Sequence, residues 1–297
     1  MADRIQKILA GAGLGSRRQA ERWIEEGRVK LNGKRAKLGQ SATGHDFIQF
    51  DGKAVTVSET LPSDARVLLY HKPEGEICTR AAGEKRPTVF DNLPTLVSGR
   101  WVSVGRLDLN TSGVLLFTNS GVLANRLMHP SSNIEREYAV RVRGPVKNSA
   151  VDALLKGVSI DGKSAAFDRV EEIQGSEGCN QWFRVIIREG RYREVRKLWE
   201  VVGYTVNRLK RIRYGEIKLP RNLRTGKFNA MPPRQRDKVL YMAGMSGETR
   251  STVARGGMNR PSTANVSGTK VNSAKTGPVT KKHSKRKVNK VSSRRRS

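Results

Sequence analysis

The chain has 297 residues, 36 % of them hydrophobic, which is long enough for two domains and apolar enough to build a core. With 57 Lys and Arg against 27 Asp and Glu the formal net charge is +30, so the default partner is a polyanion. Two distant cysteines, Cys78 and Cys179, and four histidines without ligand spacing argue against a disulfide scaffold and a metal centre, and no cofactor-binding motif is evident, so neither metal nor cofactor is expected. No stretch approaches the ~20 apolar residues of a membrane span. The opening MADRIQKILAGAG lacks the apolar segment of a secretory signal, which gives the expectation of a cytoplasmic monomer without membrane contact.

In chain order, Ile5, Ile8, Leu9 and Ala12 recur at helical spacing before Gly11, Gly13 and Gly15 break the pattern. Ser16 with Gln19 is a capping box for a second helix with Ala20, Trp23 and Ile24 on its apolar face and Gly27 at its end. Two short strands around Asn32-Gly33 follow, a dipeptide suited to a tight hairpin. Arg17 and Arg18 open the second helix, where the macrodipole disfavours cations by about 0.3–1 kcal/mol each. Solvated surface charge is one reading; a phosphate site extended by Arg28, Lys30 and Lys34 is the other.

Composition changes at Leu61-Pro62, and residues 63–244 are expected to form one α+β domain, with strands at Val114–Thr118, Tyr138–Val142 and Trp182–Ile187 among helical patterns at 123–128, 151–155 and 195–202. Within it, VGRLDLNTSGVLLF places Arg106 and Asp108 at the entrance to an apolar strand. An Asp opening a polar turn often caps backbone N–H groups, so turn capping stands beside a catalytic reading. A partly buried carboxylate favours a guanidinium partner, and Arg196, early in the helical pattern of EVRKLWEVV, is the candidate. Tyr138 lies on a strand, either as a core aromatic or as a stacking surface. Residues 245–297 carry 14 Lys and Arg against Glu248 alone and have no aromatic residue; they are expected to be disordered, as an electrostatic arm for RNA or as a solubilising extension.

DRIQKILAGAGLGSRRQAERWIEEGRVKLNGK resembles an S4 RNA-binding domain, assigned to residues 1–62 with its linker. GRLD at 105–108, REYAV around Tyr138 and EVR ending at Arg196 together resemble the pseudouridine synthases, in the branch that joins an S4 domain to the catalytic domain; YHKPEG and LMHP are similar to further markers of that branch. The resemblance implies a mixed, largely antiparallel curved sheet flanked by helices, and the isomerisation of a uridine to pseudouridine: the base is flipped out, detached from C1′, rotated and rejoined through C5. It implies Asp108 as nucleophile or base, Arg196 as its partner, Tyr138 as the stacking group and Arg106 as a wedge or phosphate grip. RLMHPS, EGCNQW and REVRKLWEVVG are most similar to synthases of large-subunit ribosomal RNA, so 23S ribosomal RNA or a large-subunit assembly intermediate is the expected partner. The alternatives are a sister synthase for the small subunit and a non-catalytic RNA-binding assembly factor.

Overall fold

Asn32 and Gly33 take φ of 50° and 80° in a computed structural model of the chain, the left-handed pair that a two-residue hairpin requires. They join Val29–Leu31 to Lys34–Arg35, and Val29–Leu31 pairs on its other edge with Ile48–Phe50. Helices Ile5–Gly11 and Arg17–Glu25 come first, and Ser16 Oγ accepts from the Gln19 N–H at 3.1 Å. Ile5, Leu9, Ala20, Ile24, Val29 and Ile48 close a core of their own, so the helix, helix, hairpin order read from the sequence is present. The structure describes residues 2–55, 65–80, 85–97, 99–173 and 179–245; the expected linker at Pro62 to Asp64 and the basic tail from residue 246 onward lie outside them.

The main sheet runs in the order Arg169–Ile173, Asn180–Ile187, Arg136–Arg143, Val206–Tyr214, Ser112–Thr118, Val67–Lys72 and Phe228–Ala230. Every neighbouring pair on this path is antiparallel except Val206–Tyr214 against Ser112–Thr118. Both faces are buried. Leu68, Tyr70, Leu115 and Phe117 point into one core, with Leu198 and Trp199 of helix Glu194–Val201. Val67, Leu69, Val114 and Leu116 point into the other, with Leu123 and Leu127 of helix Gly121–Met128 and Val239 and Leu240 of helix Pro233–Met242. Burial on both sides explains why VLLY and GVLLF are continuous apolar runs rather than alternating ones. Met245, assigned from the sequence to the tail, is buried in the second core: Gly244 at φ 66° turns the chain back and the Met245 N–H donates to the Leu240 carbonyl.

The sheet forks beside Ser112–Thr118. Val67–Lys72 pairs along one edge; on the other edge Val206–Tyr214 meets only Ser112 and Gly113, and Val102–Val104 takes Leu116 to Thr118. The turn Gly105–Thr111 spans the gap between them. Gly113 is obligatory there, because a Cβ on its φ 112° backbone would lie 2.1 Å from the Arg211 carbonyl oxygen.

Candidate active site

The strand Val67–Lys72 is buried throughout and ends in a lysine with no exposed surface. Lys72 Nζ donates to the carbonyls of Pro73 at 2.8 Å, Thr111 at 3.0 Å and Asp108 at 3.1 Å. Burial pushes this ammonium below the usual lysine pKa, and the nearby Cys78, Glu76 and Asp108 oppose the shift. From the opposite side, Arg196 of the Glu194–Val201 helix donates Nη2 to the Asn110 carbonyl at 2.8 Å and Nη1 to the Val206 carbonyl at 2.7 Å. The Leu109 carbonyl accepts from the Gly75 N–H at 2.9 Å. Lys72 Nζ also reaches the Leu109 carbonyl at 3.4 Å, so each carbonyl from Asp108 to Thr111 is held by a buried cation. The backbone of the turn is fixed while the Asp108 side chain is left free.

That side chain opens on a cleft of about 980 Å³ whose lining includes Arg106, Asp108, Thr111, Tyr138, Tyr192 and Arg211. The volume is at the upper end of small-ligand sites. Among the described residues the Asp108 carboxylate has no ion pair and no hydrogen bond, and Arg106, exposed at the mouth, has none either. Tyr138 is 8 % exposed and lies in register with Arg211 on the neighbouring strand. Asp108, Tyr138 and Arg106 thus meet in one cleft. Arg196 does not line it, and the expected direct contact with the Asp108 carboxylate is replaced by contacts with backbone carbonyls. Its helix passes beneath the turn, where the unpaired groups within reach are carbonyls. Burial lowers the Arg196 pKa, Arg193 adds to that, and Asp108 opposes it, so the carboxylate still acts on the guanidinium through space.

More arginines surround the cleft, most of them engaged. Arg188 pairs with Glu135 at 3.0 Å, Arg191 with Glu189 at 2.6 Å, and Arg213, behind the wall, with Glu135 at 3.0 Å and with Glu137. Arg193, at φ 52°, turns the chain into the helix that carries Arg196. On the N-terminal unit Arg17, Arg18, Lys30 and Lys34 are exposed and make no ion pair among the described residues. Arg28 is engaged: it forks onto Asp51, with Nε–Oδ1 at 2.9 Å, and lies 4.9 Å over the Phe50 ring. Its fork draws the Asp51 pKa down.

Sequence reasoning did not pick out Lys72, Thr111 or Tyr192 as site residues, and it left Arg211, one of the cations of VNRLKRIRYG, open between RNA and solvent. For Lys72 a signal existed: a lysine closing a strand that opens with the apolar run VLLY, directly before Pro73, sits where the pattern calls for burial.

A loop-borne carboxylate and a tyrosine meet in a cleft flanked by arginines, on a mixed sheet that follows a helix, helix, hairpin unit, an arrangement that suits an enzyme acting on a polyanion. Residues 66–200 match the RNA pseudouridylate synthase family and residues 3–48 match the S4 domain. The chain belongs to the RNA pseudouridylate synthase family and is an RNA pseudouridine synthase. It is 50 % identical over 256 residues to the ribosomal large subunit pseudouridine synthase B of Escherichia coli K12, spanning 86 % of this chain and 88 % of that one. It is 48 % identical over 263 residues to the protein of the same name from Pseudomonas aeruginosa, spanning 86 % of this chain and 68 % of the relative. The fold is similar to the crystal structure of a pseudouridylate synthase with a TM-score of 0.55, at 24 % identity, covering 80 % of this chain and 99 % of that one.

Proposed function

We propose that this enzyme converts a uridine of 23S ribosomal RNA, free or in a large-subunit assembly intermediate, to pseudouridine in the cleft around Asp108. The observation that carries the assignment is the Asp108 carboxylate itself, unpaired on a turn whose four carbonyls are all held. A carboxylate with no partner of its own, opening on a cleft from a backbone that cannot shift, is placed to act on a bound group. A flipped uridine stacks on Tyr138, with base stacking of this kind contributing about 1–3 kcal/mol. Arg106, at the mouth, fills the vacated place in the RNA stack or grips a phosphate. Asp108 then attacks C1′ or removes a sugar proton, and either act demands a fixed carboxylate. Arg196 and Lys72 supply that fixity through the backbone, as positioning residues.

Residues 1–62 dock the RNA through Arg17, Arg18, Lys30 and Lys34, and the basic segment from residue 246 onward adds non-specific affinity. The setting is the cytoplasm and the acting unit a monomer. The large-subunit substrate is supported by what the relatives at 48 % and 50 % identity are named for. The test is to incubate the protein with unmodified large-subunit and small-subunit ribosomal RNA separately and map the pseudouridines formed. New pseudouridine in the large-subunit RNA alone is expected. Formation only in the small-subunit RNA would overturn the substrate assignment.

A further inference from the structure

The floor of the cleft holds a cation that the established chemistry leaves unused. Arg211 is 3 % exposed, and its guanidinium makes one hydrogen bond, from Nε to the Val114 carbonyl at 2.8 Å. Nη2 is buried without an acceptor, and Arg211 has no ion pair among the described residues. The hydroxyl of Thr111, also lining the cleft, is buried without a partner. Arg211 is pinned from both sides: Gly113 packs against its backbone, and the Tyr214 ring lies 5.2 Å from the guanidinium carbon. It stands in register with Tyr138 on one neighbouring strand and with Gly113, five residues after Asp108, on the other. Unsatisfied buried donors are rare, and a fixed positive charge with no counter-charge at the base of a ligand cleft calls for one from the ligand.

Resting on the assignment of the reaction to this cleft, we infer that Arg211 is a catalytic residue, which stabilises the negative charge that develops on the uracil as it leaves C1′. If Asp108 attacks C1′, an ester forms and the C1′–N1 electron pair departs with the base. If Asp108 instead takes a proton from C2′, a C1′–C2′ double bond forms and the same pair departs. By either route the carboxylate loses its charge and the base becomes a uracilate, with the charge spread over N1, O2 and O4. The net charge is unchanged but it has moved, and Arg211 already stands where it arrives, with no reorganisation needed. Attack by C5 on C1′ then displaces the carboxylate from the ester or, on the second route, joins the C1′–C2′ double bond at C1′ as the carboxylic acid returns its proton to C2′. By either route the carboxylate is restored, the C5 proton leaves and one is taken up at N1. A phosphate is the poorer occupant. It would keep its hydration and meet exposed Arg106, whereas Leu107, Tyr138 and Leu209 beside Arg211 suit the face of a base.

The test compares Arg211→Gln and Arg211→Lys with wild type in single-turnover reactions on a stem-loop RNA carrying uridine, and on the same RNA carrying 5-fluorouridine at the target. Fluorine makes the departing base a more stable anion, so a residue acting on that anion matters less. Nucleoside loss is followed by mass spectrometry after digestion. Arg211→Gln is expected to lower the maximal rate on uridine by about 10²–10³-fold while leaving the RNA concentration dependence near wild type. On 5-fluorouridine the deficit is expected to shrink by about tenfold or more. Arg211→Lys, which keeps the charge, should recover part of the rate and carries the same substrate comparison should the Gln variant fail to fold. Equal losses on both substrates, or a uridine rate within about threefold of wild type, would overturn the inference. Asp108→Asn assayed alongside separates the two claims. Activity there overturns the cleft assignment, whereas an inactive Asp108→Asn with an indifferent Arg211→Gln overturns this inference alone.

Discussion

Lys72 and Arg196 under the Asp108 turn carry the same charge as Arg17, Arg18, Lys30 and Lys34 on the N-terminal unit, yet the two sets live under opposite physics. The first pair is 0 % and 7 % exposed and is hydrogen-bonded almost wholly to backbone carbonyls. Burial pushes both pKa values down, so each charge is held against a desolvation cost by short, directional contacts. The second set keeps its hydration and acts over a Debye length of about 8–10 Å. One arrangement places atoms; the other offers long-range charge that fixes nothing in place. The contrast teaches that an overall charge of +30 says little about which cations serve the chemistry.

The largest effect is expected at Lys72. Lys72→Met keeps the bulk but removes the ammonium from the carbonyls of Pro73 and Thr111, each costing about 1–3 kcal/mol when buried unpaired, while Asp108 keeps the Thr111 N–H and Leu109 the Gly75 N–H. Denaturant unfolding should reveal a loss of about 3 kcal/mol or more, and the turnover of the folded fraction should fall with it. A variant equal to wild type in both would make the buried ammonium irrelevant to the turn. Gly113→Ala comes next: its Cβ would meet the Arg211 carbonyl at 2.1 Å, so the fork must open. Overpacking of this kind typically costs about 1–3 kcal/mol, read as a lowered unfolding midpoint together with slower turnover. A stable, fully active Ala variant would mean that the fork tolerates widening.

On the other side of the comparison, Arg17→Gln combined with Arg18→Gln should weaken RNA binding and reduce the slope of log K against log salt by about 1–2. Turnover at saturating RNA should not change. A fall in maximal rate with an unaltered salt slope would move these arginines from docking to chemistry.

The smallest effect is a pH dependence of stability. His71 is 6 % exposed with Nδ1 on the Leu223 carbonyl at 2.8 Å, and burial holds its pKa below the ordinary histidine value. Its contribution is complete above the unfolded pKa of about 6.5 and is lost as the pH falls towards the folded value, because the unfolded chain binds more protons there. Glu76, raised by burial, works in the opposite direction: its folded form gains protons first, so acid relieves it. Comparing wild type with His71→Gln between about pH 7.5 and about pH 5.5 isolates the histidine, and the variant should lose less stability on acidification. Identical slopes would remove His71 as a source.

The elements were largely legible where local rules govern them. Ser16 with Gln19, Asn32-Gly33 and the apolar runs at 67–72 and 112–118 specify their own caps, turn and strands. Asp108 and Tyr138 were legible as motif positions, and both reach the cleft. What sits beneath them was not. The acceptors for Lys72 and Arg196 are backbone carbonyls, which no letter of a sequence records, so Arg196 was matched to a carboxylate instead. Arg211 was one of four cations in VNRLKRIRY, and simple alternation fails to pick it out because the pairing with Arg136–Arg143 shifts register between Glu137 and Tyr138. Burial of Met245 depends on helix Pro233–Met242 folding back, which the composition of the tail obscured.

The central claim is that a single unpaired carboxylate on a held turn performs the isomerisation. It is tested most directly by tritium release from large-subunit ribosomal RNA labelled at uridine C5, with wild type and Asp108→Asn side by side and RNA binding measured for both. The account predicts release by wild type, no release above background by Asp108→Asn, and equal RNA affinity. Release by Asp108→Asn at a rate near wild type would contradict it.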